Sequence, residues 1–284
     1  MQLFFKYLKN LKLRWLIVLS VGIIGYGTLG KTLANYIEAE QGNVELKAVL
    51  VRNLPESLDP SSLNYMVTNH VEDFFNLGLD VIIESAGHNA VHLYGEKTLS
   101  SGSSFIILSV GALGNEELYN TLREAAKRYD KQIIIPSAAI AGLDRIAAGV
   151  LGEIDEISLI TKKPPKSWYG TIAEEMTDLA SLKEPYCIFE GNAREAAKLF
   201  PENVNVSATL SLAGVGFEQT KVQVYADPTI QSNTHTILAR GEFGQLEINV
   251  QNNPYKSNPK SSPIVAMSVI KVLRNLSSPV AIGL

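Results

Sequence analysis

The chain has 284 residues, of which 46% are hydrophobic and 19% charged, with a formal net charge of −4. That length calls for two domains, each able to bury its own core, and the composition is that of an ordinary globular protein handling small molecules. The acidic balance excludes an extended nucleic-acid footprint, and the single cysteine, Cys187, excludes an internal disulfide, which suits a reducing cytoplasm.

Lys6, Lys9, Lys12 and Arg14 precede the apolar stretch Trp15–Leu19 and imitate the front of a secretory signal. No small-x-small cleavage pattern follows, however, and glycines interrupt the apolar run well short of a membrane span. Residues 1–14 read as an amphipathic extension or as the product of an early start codon, and no membrane partner is expected.

The run Leu16–Ile24 has the character of a strand and gives way to Gly25, Gly27 and Gly30 at the spacing G-x-G-x-x-G, after which Leu29, Leu33, Tyr36 and Ile37 keep a helical period. A strand, a tight glycine turn and a helix N-terminus in this order form a cradle for a pyrophosphate. The cofactor-binding set therefore starts with Gly25, Tyr26, Gly27, Thr28, Leu29 and Gly30. Val44–Val51 reads as a second strand, and it runs into Arg52. An acidic residue here would hold the adenosine ribose of NAD, whereas an arginine suits a 2′-phosphate, so NADP is expected to be accepted alongside NAD.

Leu79–Glu84, Ser104–Val110 and Gln132–Pro136 read as further buried strands, separated by helices over Asn89–Ser100 and Glu116–Tyr129. Strands alternating with helices of this length imply parallel crossovers, and hence a doubly wound sheet over residues 15–137. Ligands of such sheets sit at the carboxyl ends of the strands, which brings in the loops Ser85–His88 and Ser109–Ala112, with Ser85, Ala86, Ser109, Val110 and Gly111 as cofactor contacts.

From Ser137 the pattern changes. A small-residue helix over 137–152 is followed by strand-like runs at Glu156–Thr161, Val204–Leu212, Lys221–Ala226 and Gln245–Val250. Few crossovers separate these runs, so residues 138–262 are expected to form an α+β domain with an open mixed sheet, hinged near Pro136–Gly142. Ile264–Leu276 reads as a closing helix, and residues 263–284 are expected to pack back on the first domain. The fold class is α/β: an N-terminal Rossmann sheet with a second α+β domain.

Four histidines are available for chemistry. His70 reads as surface. His88 and His92 lie four apart, but no third ligand accompanies them, so no metal site is expected. His235 lies in "DPTIQSNTHTILARGEFG" among the polar Asp227 and Asn233, where a side chain titrating near neutrality suits proton transfer; on that stretch alone a structural histidine on a strand is the simpler reading. Lys162, Lys163 and Lys166 in "TKKPPKSW" suit a dicarboxylate and a solvated turn equally. Cys187 reads as a small buried hydrophobe.

The segments "GIIGYGTLG", "ILSVGAL", "IPSAAIAGLD", "TKKPP", "FEGNAREAAKLFPENVNVSATLSLAG", "DPTIQSNTHTI" and "NPKSSPIVAMSVIKVL" together resemble the L-aspartate dehydrogenases from about Val21 to Leu276. The resemblance implies NAD- or NADP-linked oxidation of L-aspartate to iminosuccinate, which hydrolyses to oxaloacetate and ammonia, or the reverse amination. In some members iminosuccinate feeds NAD biosynthesis. It further implies a homodimer joined through second-domain sheets, a catalytic histidine at His235, and cofactor contacts at Ala139 and Asn205; Asn233 and Lys163 extend the set as partners of the substrate carboxylates.

The chain departs from the family at Ala138 and Ala141, where relatives usually carry glycine, at Lys162, where arginine is common, and in detail at Ser85–His88. A Cβ in the 137–142 turn would narrow a pocket or oppose a positive φ. Two rival readings stand beside the resemblance: a dehydrogenase of a related amino or keto diacid, and a non-catalytic NADP sensor.

Overall fold

The computed structural model describes residues 18–39, 43–55, 62–200, 205–255 and 261–283. The 1–14 extension, the first residues of the expected 16–24 strand, Val204 and the start of the "NPKSS" segment lie outside the described residues. The chain divides into two compact units: one takes the residues up to Ser109, Asn120–Pro136 and those from Ala266 onward, the other Val110–Tyr119 and Ser137–Val265.

The first unit is built on β1 (Leu19–Ile24), α1 (Thr28–Ala39), β2 (Val44–Leu50), β3 (Met66–Thr68), α2 (Val71–Phe75), β4 (Val81–Glu84), α3 (His88–Ser100), β5 (Ser104–Ile107) and β6 (Ile133–Ile134), with most of α4 (Glu116–Arg128). The strands form one parallel sheet in the order β3-β2-β1-β4-β5-β6. Val21, Ile23, Ile82, Ile83, Phe105, Ile106 and Ile107 are all buried, the near-continuous apolar character of strands covered on both faces. Helix α1 buries Gly30, Leu33, Ala34 and Ile37, a stripe of spacing i, i+3, i+4, i+7. Each such aliphatic side chain contributes roughly 1.5–3 kcal/mol by leaving water. The strand order reverses between β1 and β4, and the loops that follow these two strands flank that switch point.

The second unit carries β7 (Ile154–Lys163), β8 (Tyr186–Asn192), β9 (Lys221–Ala226), β10 (Asn233–Gly241) and β11 (Gly244–Asn252). They form an open sheet in the order β11-β10-β7-β9-β8. It is mixed: β7 and β9 run parallel, and the other pairs antiparallel. Helices α5 (Leu143–Gly149) and α8 (Asn205–Ala213) cover one face, with α6 (Ala173–Met176) and α7 (Ala193–Leu199) nearby in sequence; α9 (Pro263–Ser277) closes the chain. Ile140, Ile146, Ile157, Leu159, Leu210, Ile237 and Ala239 make the core between sheet and helices.

Three expectations are corrected here. The run expected as a strand at Val204–Leu212 is helix α8 from Asn205 onward. Its apolar residues alternate, but the buried ones are consecutive, Ser207 to Ser211, because the helix is enclosed on most sides and tertiary packing overrides the β-branched propensity. The helix expected over 137–152 shrinks to Leu143–Gly149, since Ala138 and Gly142 both take positive φ, 49° and 78°, and no helix continues through them. Cys187 is exposed rather than buried, at a register shift on the edge strand β8.

Candidate active site

Each unit carries its own cluster of functional groups. In the first, a cleft of about 510 Å³ opens along the switch point. Of the residues expected to contact the cofactor, Gly25, Tyr26, Gly27, Arg52, Ser85 and Ala86 line it. The three glycines differ in role. Gly25 has φ +102°, which turns the chain sharply off β1, and its N–H donates to the Leu50 carbonyl at 2.8 Å. A Cβ on Gly30 would stand 2.1 Å from the Gly25 carbonyl oxygen, so Gly30 sets how closely α1 packs on the turn. A Cβ on Gly27 would meet nothing within 4 Å. That open side of Gly27, beside the first N–H groups of α1, which have no intrahelical acceptor, is a cradle that fits a pyrophosphate.

Arg52 and Asn53 lie at the end of β2 in the cleft wall, and among the described residues lining the cleft none is acidic. Tyr26 shares a 2.6 Å hydroxyl hydrogen bond with Tyr65. Burial, reinforced by that hydrogen bond, holds the Tyr65 hydroxyl well above the usual range.

Beneath the cleft floor is a residue that the sequence reading passed over. Glu84 ends β4 and is fully buried. Its Oε1 accepts the N–H groups of Ala86 and Gly87, each at 2.7 Å, and the Ser109 hydroxyl at 2.9 Å, while Oε2 accepts the Ser109 N–H at 2.9 Å. Burial pushes its pKa up, against the opposing pull of these hydrogen bonds. Ser109 thus faces Glu84, with the cleft wall formed by Ser85 and Ala86. The sequence signal was available: a lone charged residue closing the apolar strand "VIIE".

In the second unit the buried face of the sheet changes character toward one end. Along β7 the inward residues run Ile157, Leu159, Thr161, Lys163, and along β10 they run Ala239, Ile237, His235. Polar groups therefore collect where β7 ends and β10 begins. His235 is cross-strand partner to Thr161, and its Nδ1 lies 3.0 Å from Thr161 Oγ1. This leaves Nε2 as the ring atom available to a substrate. Burial drives the His235 pKa down from 6.5 to about 3, and the charge of Lys163 adds to the shift. Lys163 is itself buried, with its Nζ 5.1 Å from the Trp168 ring centroid, so of the two readings of "TKKPPKSW" the solvated turn is excluded for this lysine. Lys162 points to the other face, over Tyr225.

Asn233 precedes His235 by two residues on the same face of β10 and pairs with Asn252 across the β10–β11 hairpin. Asn252 is buried and donates from Nδ2 to the Ala139 carbonyl at 2.8 Å, fixing the 137–142 turn to the sheet. The hairpin could have revealed it: a two-residue loop, Glu242-Phe243, pairs Gly241 with Gly244 and so Asn233 with Asn252. Ala138 takes φ 49° despite its Cβ, a strain of roughly 1 kcal/mol that glycine would avoid. The Asn205 carboxamide oxygen accepts the Gly111 N–H at 2.9 Å, which joins two of the expected cofactor contacts. Val110 is buried and does not line the cleft.

Among the described residues no group of three His, Cys, Asp or Glu side chains is placed to hold a metal, and no helix is long and apolar enough to cross a membrane.

The depressed His235 pKa makes stability depend on pH. The unfolded chain takes this proton near pH 6.5 and the folded chain only near 3, so stability falls as pH drops through that window, by up to about 1.4 kcal/mol per unit. Glu84 acts in the opposite sense, because its folded carboxyl keeps a proton to higher pH than the unfolded one. Urea unfolding of wild type and His235→Asn between about pH 6.5 and 4.5 isolates the histidine. The variant is expected to lose the part of the slope that His235 contributes, and equal slopes would show that the imidazole titrates normally.

Comparison with known proteins adds the following. Residues 144–276 match the family model "Aspartate dehydrogenase, C-terminal", and residues 25–136 match "Homoserine dehydrogenase, NAD binding domain". The chain is 38% identical over 270 residues to an L-aspartate dehydrogenase of Ralstonia pickettii, covering 93% of this chain and 100% of the relative. It is 39% identical over 274 residues to that of Methanosarcina acetivorans, covering 94% and 100%. The crystal structure of an aspartate dehydrogenase from Thermotoga maritima superposes with a TM-score of 0.75 at 27% identity, covering 93% of this chain and 99% of that one.

Proposed function

This chain belongs to the L-aspartate dehydrogenase family, and we propose that it interconverts L-aspartate and iminosuccinate with NAD(P) through His235, Lys163 and Asn233. Written in the oxidative direction, aspartate and NAD(P)⁺ give iminosuccinate, NAD(P)H and a proton; water then converts the imine to oxaloacetate and ammonia. When bound, NAD(P)⁺ supplies the hydride acceptor for the substrate Cα.

The observation that carries this reading is the polar end of an otherwise apolar buried face, where Thr161, Lys163 and His235 meet. Groups this well buried hold a dicarboxylate far more strongly than solvated ones. Lys163 binds one substrate carboxylate as a cation, and Asn233 donates to the other. Thr161 orients the imidazole, and when its hydroxyl accepts from Nδ1–H the Nε2 lone pair takes a proton from the substrate amine or from the water that attacks the imine. The anionic substrate also offsets the Lys163 charge that depresses His235, so binding raises the pKa of its own base.

The Gly25–Gly30 turn holds the pyrophosphate at the N-terminus of α1, and Arg52, with no acidic neighbour among the described residues lining the cleft, accepts the 2′-phosphate of NADP. A homodimer joined through the outer faces of the second-unit sheets, and a cytoplasmic location, complete the proposal. The outer face carries Ile160 and Leu238, both only half-exposed, among polar residues.

Loss of nicotinamide absorbance with oxaloacetate and ammonia tests the reaction directly. Turnover with both NADH and NADPH is expected; binding of either without turnover would favour the sensor, and turnover only with another diacid the related dehydrogenase. Arg52→Ala is expected to raise KM for NADPH roughly ten-fold and that for NADH less than about two-fold, the cost of one charge-assisted contact. Equal effects on the two cofactors would remove Arg52 from the 2′-phosphate site.

A further inference from the structure

We propose that Glu84 is a positioning residue for dinucleotide binding: its carboxylate ties the loop after β4 to the end of β5 and so presets the cleft wall. Glu84 is a fully buried carboxylate. Taken out of water, it must be matched by donors, and Glu84 has four: the N–H groups of Ala86, Gly87 and Ser109, and the Ser109 hydroxyl. Three of these are backbone groups from two separate loops. An anion held this way fixes main-chain direction at Ala86 and Gly87, where Gly87 has φ +104° just before α3 begins.

Ala86 and its neighbour Ser85 form the cleft wall opposite Gly25. A Cβ on Gly25 would already stand 2.9 Å from that of Ala86, so the two loops meet with no slack and a shift of one moves the wall against the other. The Ser85 hydroxyl adds a second tie, donating to the Ile24 carbonyl at 3.1 Å. The placement also has an electrostatic consequence. Two helix N-termini, those of α1 and α3, flank the switch point, and each favours an anion. Glu84 places a built-in carboxylate against the segment leading into α3, which leaves the start of α1, beside Gly27, as the place for the cofactor's phosphates.

This inference rests on the reading of the cleft as the dinucleotide site, and the experiment separates the two. NADPH affinity is measured by nicotinamide fluorescence on wild type, Glu84→Gln, Ser109→Ala and Gly27→Ala, with backbone amide exchange followed in the same proteins. In Glu84→Gln one acceptor becomes an NH₂ donor facing N–H groups. We expect Kd for NADPH to rise roughly ten-fold, amide exchange to quicken at Ala86, Gly87 and Ser109 but not within β1, and KM for oxaloacetate at saturating NADPH to stay within about two-fold. Ser109→Ala keeps the carboxylate and removes one of its donors; a rise in Kd of roughly two- to three-fold is expected, and this milder variant decides the matter if Glu84→Gln does not fold. Unchanged NADPH affinity in these variants while Gly27→Ala weakens it overturns the role of Glu84 alone. Unchanged affinity in all of them, Gly27→Ala included, overturns the cleft as the dinucleotide site.

Discussion

His235→Ala lowers kcat by roughly 10²-fold or more while leaving NADPH affinity within about two-fold. The expectation follows from position: the imidazole sits on the buried face of β10 with Nδ1 engaged by Thr161 and is held neutral by burial and by Lys163. A base with a pKa near 3 would be a poor proton acceptor at neutral pH. The substrate works against this shift: its two carboxylates offset the Lys163 charge, the smaller of the two causes, and themselves favour an imidazolium against the larger one, burial. The pH profiles of the wild type should therefore differ. Log kcat/KM, which reports the free enzyme, should show no ascending limb from His235 near pH 6.5, whereas log kcat, which reports the bound complex, should show one. His235→Asn keeps a polar side chain of similar reach and should be as slow as alanine, since it cannot take the proton. A kcat for either variant within a few-fold of wild type would take His235 out of the proton transfer.

Much of the first unit was legible because its signals are local. The glycine turn, the apolar strands and the helix between them each announce themselves within a few residues, and the parallel order follows from the alternation. The elements that were not legible, β3 and α2, span three and five residues and are too short to show a period. The second unit was harder. Val206, Ala208 and Leu210 alternate like a strand, and only the enclosure of α8 by its neighbours decides for a helix. His235 and Asn233 could be singled out as polar residues on a strand, but that Thr161 and Lys163 join His235 depends on the register between β7 and β10, which lie more than seventy residues apart in the chain. Glu84 and Asn252 escaped for a related reason. Each acts on another segment, Ser109 in one case and Ala139 in the other, so the charge closing "VIIE" and the hairpin pairing could point to the residue but not to its partner.

Two neighbouring glycines should give opposite results when alanine replaces them. At Gly30 the added methyl is driven to 2.1 Å from the Gly25 carbonyl, a backbone atom that cannot swing aside. Helix α1 must move off the sheet, uncovering part of the Leu33 and Ile37 stripe, and a loss of roughly 2–3 kcal/mol in folding stability is expected. At Gly27 the methyl meets nothing within 4 Å, so the fold should be kept, with stability within about 1 kcal/mol of wild type or slightly above it, as alanine limits the unfolded chain. The space that the methyl enters is the cradle beside the start of α1, however, and NADPH affinity should fall by roughly 10-fold or more as the phosphates lose their approach to the backbone. Denaturant melts and fluorescence titrations on the two variants read stability and affinity separately. If Gly27→Ala binds NADPH as the wild type does, the pyrophosphate does not lie against this turn. If Gly30→Ala is as stable as the wild type, the close contact between helix and turn is not what holds α1 to the sheet.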